Sequence, residues 1–223
     1  MIVTARDEAD RIGATIDAVR AAFPGARVVL AESGSRDATA ALAERAGADV
    51  VRTMSKRKGK GGSTTTAARA ALARSPKATF VLCDGDLGSS AARLAPLAEA
   101  VGRGECDLAV AAFSRRVGGG FGVAVGFARW GIKNLTGREL RAPISGQRAM
   151  QADVLERLLP FAHGFGMETA MTIDALRAGY RVEEIEIDLD HRATTRTIGG
   201  FLHRGRQLAA FARVCLSRRL RPR

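Results

Sequence analysis

The sequence predicts an α/β domain on a mainly parallel sheet flanked by helices, and three observations carry that prediction. Short apolar, β-branched runs alternate along the chain with stretches whose apolar residues recur at helical spacing. The run Phe80-Val81-Leu82-Cys83 is apolar throughout, as a strand covered on both faces should be. It runs straight into Asp84-Gly85-Asp86, at the carboxyl end of a strand, where open α/β sheets gather their ligands.

Taken in order, Ile2-Val3-Thr4 reads as a first strand, followed by Ala5-Arg6-Asp7-Glu8. Ile12, Ile16 and Val19 lie on one helical face through about residue 23, and Pro24-Gly25 stops that helix. A second strand over 27–31 leads into Glu32-Ser33-Gly34-Ser35-Arg36-Asp37 and a helix over 38–46, and Val50-Val51 makes a short third strand. The alternation implies right-handed crossovers. Lys56-Arg57-Lys58-Gly59-Lys60-Gly61-Gly62-Ser63 is read as a loop feeding an alanine-rich helix from about 64 to 74. After the central strand come a helix over 90–102, a strand over 108–112 and a basic glycine-rich loop containing Arg115 and Arg116. A helix over 121–135 carries Phe127 and Trp130, read as core or interface aromatics. Residues 143–148 form a turn or short strand before a helix ending near Pro160. Phe161 to Glu168 precedes a helix that stops at Gly179; 181–189 is a half-buried strand; 199–217 is a last amphipathic helix. The expected division is a domain over 1–198 with a basic C-terminal helix and tail over 199–223 packed on it.

Composition narrows the class. At 223 residues with 46% hydrophobic and 26% charged side chains, the chain suits one globular domain. No apolar run is long enough for a membrane span, and Arg6, Asp7, Glu8 and Asp10 break any signal-peptide pattern, so a cytoplasmic protein is expected. Cys83, Cys106 and Cys215 are odd in number and sit in apolar surroundings, which predicts buried reduced thiols. The net charge of +12 is concentrated late: no acidic residue follows Asp190, but nine arginines do. Such a tail suits an anionic lipid surface or nucleic acid, or brings substrate phosphates to the site, or serves only to solubilise. With a single Trp and a single Tyr and no reading motif, no nucleic-acid partner is expected.

Several clusters carry chemistry. Two carboxylates converging across Gly85 repel each other and call for a cation, and an all-oxygen set suits Mg²⁺ or Mn²⁺ shared with phosphates. A D-x-D by itself is also a common solvated turn; its place at the end of a buried strand favours the metal. The Gly/Lys segment 56–63 suits an anion cradle at a helix start, or is simply a charged loop. Glu168 at a helix start is a general base, a holder of an acceptor sugar, or a carboxylate favoured by the helix dipole.

With these residues in view, the chain resembles a family 2 type glycosyltransferase of the GT-A fold over about residues 3–207. Thr4-Ala5-Arg6-Asp7-Glu8 resembles the nucleotide-facing opening, and 32–39 resembles the D-D-G-S-x-D-x-T motif, with Glu32 and Ser33 where two aspartates are usual. Gly59-Lys60-Gly61 and Asp84-Gly85-Asp86 are similar to the G-K-G and metal-binding D-x-D segments. Arg115 and Ser145-Gly146-Gln147-Arg148 resemble polyprenyl-phosphate hexose synthases, whereas 160–168 and His191-Arg192 resemble glucosyl-3-phosphoglycerate synthases. The resemblance implies a nucleoside-diphosphate sugar held by Ala5, Arg6, Glu8, Glu32, Gly34, Ser35, Lys60 and Asp84. It implies Mg²⁺ or Mn²⁺ on Asp86 and His191, catalytic roles for Asp86 and Glu168, and an anionic acceptor on Arg115, Arg148 and Gly164. The acceptor expected is a polyprenyl phosphate or a small phosphorylated acid. An anionic membrane surface is a further expected partner, and the oligomeric state is left open, a homodimer included. The competing reading is a basic nucleotide- or membrane-binding adaptor with impaired catalysis, which the residues at 32 and 33 favour.

Overall fold

The structure is a computed structural model that describes residues 1–53, 59–113, 122–189 and 213–219. The expected Arg115, Arg116, His191 and Arg192, and the final helix up to residue 212, lie outside the described residues.

Seven strands form one sheet: β1 (Ile2–Ala5), β2 (Val29–Glu32), β3 (Asp49–Arg52), β4 (Thr79–Asp84), β5 (Leu108–Phe113), β6 (Arg148–Gln151) and β7 (Val182–Ile187). Their order is β3-β2-β1-β4-β6-β5-β7. All pairings are parallel except those of β6, which runs antiparallel to both β4 and β5. The helices are α1 (Ile12–Ala22), α2 (Thr39–Arg45), α3 (Gly59–Arg74), α4 (Ala95–Gly102), α5 (Gly122–Thr136), α6 (Ala152–Leu158) and α7 (Met167–Arg177). The architecture is a mixed sheet between two helical layers, consistent with the expected α/β fold.

Strand side chains alternate between two cores because successive Cβ atoms point to opposite faces. Ile2, Phe80, Leu82, Leu108 and Met150 pack with α3, α6 and α7. Val3, Leu30, Val81, Cys83 and Ala109 pack with α1 and α4 on the other side. That explains the unbroken apolar runs in the sequence. All three cysteines are buried free thiols, as expected, and burial pushes the Cys83 thiol up to about 12.

Two helices differ from the sequence reading. The segment 88–102 divides into a 3₁₀ turn, Gly88–Leu94, and α4, with Pro96 in the first turn of α4, where a missing N–H costs nothing. α3 begins at Gly59 rather than at 64, so the glycines expected in a loop are helical. Tertiary packing overrides their poor propensity: a Cβ on Gly61 would lie 1.8 Å from the Ala162 carbonyl oxygen. Only a glycine lets the first turn of α3 lie against the 160–164 segment, which is also tied down by the Phe161 N–H donating to Thr65 at 3.0 Å.

Candidate active site

β1 and β4 run parallel with Thr4 beside Asp84 in register, so both side chains emerge at the same carboxyl end of the sheet. Thr4 Oγ1 donates to Asp84 Oδ1 at 2.9 Å. The turn that follows is fixed from below: the Gly85 N–H donates to Thr4 O at 2.8 Å, and Thr15 Oγ1 donates to Gly85 O at 2.8 Å. A Cβ on Gly85 would come within 2.7 Å of the Ala5 side chain, so glycine is required for β1 and this turn to approach. Asp86 follows, half-buried, its backbone carbonyl accepting from Arg11 Nη1 at 3.1 Å.

Lys60 reaches in from the first turn of α3. Its ammonium lies 2.7 Å from Asp84 Oδ1 and 2.8 Å from Glu168 Oε1. The Lys60 side chain keeps 29% exposure and Glu168, in the first turn of α7, only 7%. Burial works against the ammonium, but the two carboxylates outweigh it together and hold the Lys60 pKa above its ordinary value. Lys60 is therefore a fixed cation at any physiological pH.

The second Asp84 oxygen is held from the segment before β6. Gln147 Nε2 donates to Asp84 Oδ2 at 3.0 Å, and Ser145 Oγ lies 3.2 Å from Gln147 Oε1, which orients the amide. Gly146 passes so close that a Cβ there would sit 2.6 Å from Asp84 Oδ2 and 3.0 Å from Lys60 Nζ. The segment is anchored twice. Glu184 on β7 accepts from the Arg141 and Ala142 N–H groups at 2.8 and 2.6 Å. The Arg148 guanidinium donates to Ser145 O at 2.9 Å, Thr172 Oγ1 at 2.9 Å and Pro143 O at 3.4 Å.

Beside this cluster the loops after β1 and β2 interlock. The Asp7 N–H donates to Ser35 Oγ at 3.1 Å, and Asp7 Oδ1 accepts from the Arg36 N–H at 2.7 Å. Glu32 Oε1 accepts from the Ser35 N–H at 2.5 Å around Gly34, whose φ of +80° favours glycine. The Glu8 N–H donates to Thr39 Oγ1 at 2.9 Å, and Ser33 Oγ meets Ser63 Oγ of α3 at 2.6 Å. The result is a two-loop cradle adjoining Lys60.

Residues 1–159 match the profile of Glycosyl transferase family 2. The chain belongs to that family. Among solved structures it is similar to glucosyl-3-phosphoglycerate synthase of Mycobacterium tuberculosis, at 25% identity and a TM-score of 0.78, covering 100% of this chain and 80% of that one. The same values hold for that enzyme in complex with Mn²⁺, uridine diphosphate and glucosyl-3-phosphoglycerate. A mycobacterial protein matches at 26% identity and a TM-score of 0.80, over 100% of this chain and 74% of that one. No curated protein matches.

The structure brings many of the expected residues together. Lys60, Asp84 and Glu168 form one ion-pair cluster with Asp86 on the adjoining turn. Ala5, Glu8, Glu32, Gly34 and Ser35 belong to the two-loop cradle, with Arg6 exposed at its rim, 3.6 Å from Asp7. Gly164 has a φ of +64° and its backbone lies against Gly59 at the start of α3. Arg148 requires a correction. It is 0% exposed, with its guanidinium spent on Ser145, Thr172 and Pro143, so it holds the site from beneath and does not face an acceptor. Burial pushes its pKa down to about 10, which still leaves it cationic. Thr4, Gly146 and Gln147 stand in the motif stretches read from the sequence but carry no role of their own there, and Glu184 is not among them. Thr4 was accessible through the parallel register of two adjacent strands; Glu184 had no local signal.

Among the described residues no group of three or more His, Cys, Asp or Glu side chains gathers as a metal set. The donor chemistry at the end of β4 nevertheless fits a hard cation: Asp84 and Asp86 supply carboxylate oxygens on one tight turn. Asp84 is bound by Thr4, Lys60 and Gln147, and Asp86 stands two residues on in the same turn.

Proposed function

We propose that this family 2 glycosyltransferase moves a hexose from a uridine-diphosphate sugar to a small phosphorylated acid, with Mn²⁺ or Mg²⁺ as cofactor. The observation that carries the reading is Lys60, a permanent ammonium clamped between Asp84 and Glu168 beside the two-loop cradle. The similar synthase of M. tuberculosis has been crystallised with Mn²⁺, UDP-glucose and glycerol 3-phosphate, and with Mn²⁺, uridine diphosphate and phosphoglyceric acid, which supports the donor and acceptor classes.

On this reading the cradle of Ala5, Arg6, Glu8, Glu32, Gly34 and Ser35 holds the base and ribose. The diphosphate lies towards Lys60 and Asp86. Sugar transfer leaves negative charge on the departing diphosphate and builds positive character at the anomeric carbon. Asp86, with His191 from beyond the described residues, would hold the divalent ion, which would supply positive charge to that leaving group. Lys60 adds a second, preorganised charge that needs no reorganisation during the reaction. One Glu168 oxygen is committed to Lys60, so Glu168 is assigned to hold Lys60 and a sugar hydroxyl. Gly164 and Arg115 are assigned to the acceptor phosphate, where a guanidinium fork fits. Arg148 is a positioning residue.

The experiment is transfer of labelled glucose from UDP-glucose, with Mn²⁺ or with chelator, to 3-phosphoglycerate, glycerol 3-phosphate or a polyprenyl phosphate. Metal-dependent transfer to the small acid or the glycerol phosphate supports the reading. Transfer only to the lipid phosphate replaces the acceptor, and tight UDP binding without transfer to any acceptor moves the assignment to the adaptor.

A further inference from the structure

Among the described residues the exposed large apolar side chains are Trp130, at 57% exposure, and Leu216, at 60%. They belong to neighbouring helices. The C-terminal helix, residues 213–219, lies against α5 so closely that a Cβ on Gly131 would be 2.5 Å from Cys215 Sγ. Trp130 and Leu216 each stand one residue from that contact. Phe127 packs on Trp130 with ring centroids 5.4 Å apart, which stiffens the aromatic.

The face is built firmly. Arg218 forks onto Asp174 of α7 with contacts of 2.7 and 2.5 Å, and Arg177 donates to the Arg218 carbonyl at 2.5 Å. Val214 and Cys215 are buried beneath. The rim is basic: Arg129 on α5 and Arg213 and Arg219 on the C-terminal helix are exposed. Lys133, one turn beyond Arg129, is neutralised by Glu139 at 2.9 Å. The chain immediately before and after this helix adds arginines and no acid.

We propose that the Trp130–Leu216 face docks on an anionic lipid bilayer, independently of the transfer reaction. Two observations select that occupant. An exposed indole and an exposed leucine on adjoining helices, with exposed arginines on both helices, match the boundary between acyl chains and phosphate headgroups. A second copy of the chain is disfavoured on the same face, because each copy carries +12 and both rims are cationic.

Trp130 is the single tryptophan of the chain, so its emission reports docking directly. The experiment titrates the full chain with vesicles of phosphatidylcholine alone or mixed with phosphatidylglycerol, following tryptophan emission and co-sedimentation. Binding and a blue shift are expected only with phosphatidylglycerol, and both should weaken with salt. Each basic residue near the surface is worth about a fivefold change in partitioning, so Arg213→Ser with Arg219→Ser should reduce binding by about 25-fold. Leu216→Ser should lower binding several-fold with the melting temperature unchanged, since the side chain is exposed. The proposal is overturned if wild-type protein ignores phosphatidylglycerol vesicles. It is equally overturned if Leu216→Ser and Trp130→Ser bind as well as wild type in co-sedimentation. A dimer by light scattering that Trp130→Ser dissociates, without lipid binding, would assign the face to self-association instead.

Discussion

Replacing Lys60 with Met tests the centre of the site. Met keeps the length and much of the packing but removes the charge, leaving the Asp84 and Glu168 carboxylates to face each other. Breaking a fully buried ion pair by removing one partner costs about 3–5 kcal/mol. Here Glu168 is 7% exposed, but Asp84 and Lys60 keep 25% and 29%, so solvent screening reduces the expected loss. We expect about 2–3 kcal/mol, which for a chain of this size lowers the melting temperature by about 4–12 °C. The sign of the pH dependence follows from the raised pKa. A cation whose folded pKa exceeds its ordinary 10.5 gives its full contribution below that value and loses it only as pH rises through the higher folded one. The difference between wild type and Lys60→Met should therefore stay flat from about pH 6 to 9. Urea unfolding monitored by circular dichroism, with Glu168→Gln and the double variant completing a cycle, measures the coupling, expected at about 1–2 kcal/mol. A Lys60→Met protein as stable as wild type, or strictly additive single losses, would refute the clamp.

Other predictions concern the surroundings of that clamp. Gly146→Ala should push Asp84 and Lys60 apart and cut turnover about tenfold or more with the fold retained; steady-state kinetics beside circular dichroism will show whether a methyl is tolerated there. Asp86→Ala should abolish Mn²⁺-dependent nucleotide binding in calorimetry while the melting temperature stays within a few degrees of wild type. Asp107, hydrogen-bonded and paired with Arg181 at 2.8 Å, has its pKa held below the ordinary 3.8. That depressed carboxyl stabilises the fold above its ordinary pKa and loses the contribution as pH falls through the folded value. Asp107→Asn should thus be destabilised at neutral pH by about 1 kcal/mol and converge on wild type in acid, which denaturant midpoints measured down the pH scale will show.

The half built on β1 to β4 was the legible half. Strands such as 108–112 and 2–4 were set by unbroken apolar runs, and the structure extends each by a residue. The cradle residues lie in short stretches next to those strands, so local pattern located them. The other half depends on long-range contacts. Nothing around Glu184 announces that it caps the backbone 42 and 43 residues earlier. Arg148 carries the residue type of a ligand, and only its burial assigns it to the scaffold. The helical start at Gly59 was hidden for the same reason, since glycine propensity points to a loop until the Ala162 carbonyl is seen against it.

The reversed direction of β6 has a consequence for how such an enzyme diversifies. Because this strand alone runs against its neighbours, the chain reaches the working end of the sheet before it enters β6 and not after it leaves. The segment 141–147, which borders the Lys60–Asp84 cluster, is thereby spliced between two halves of a scaffold that pair without it: β1 to β4 on one side, β5 with β7 on the other. Drift in that short segment can reshape one wall of the Lys60–Asp84 cluster while the β1–β4 half is left untouched, provided a glycine stays where Asp84 and Lys60 allow nothing larger.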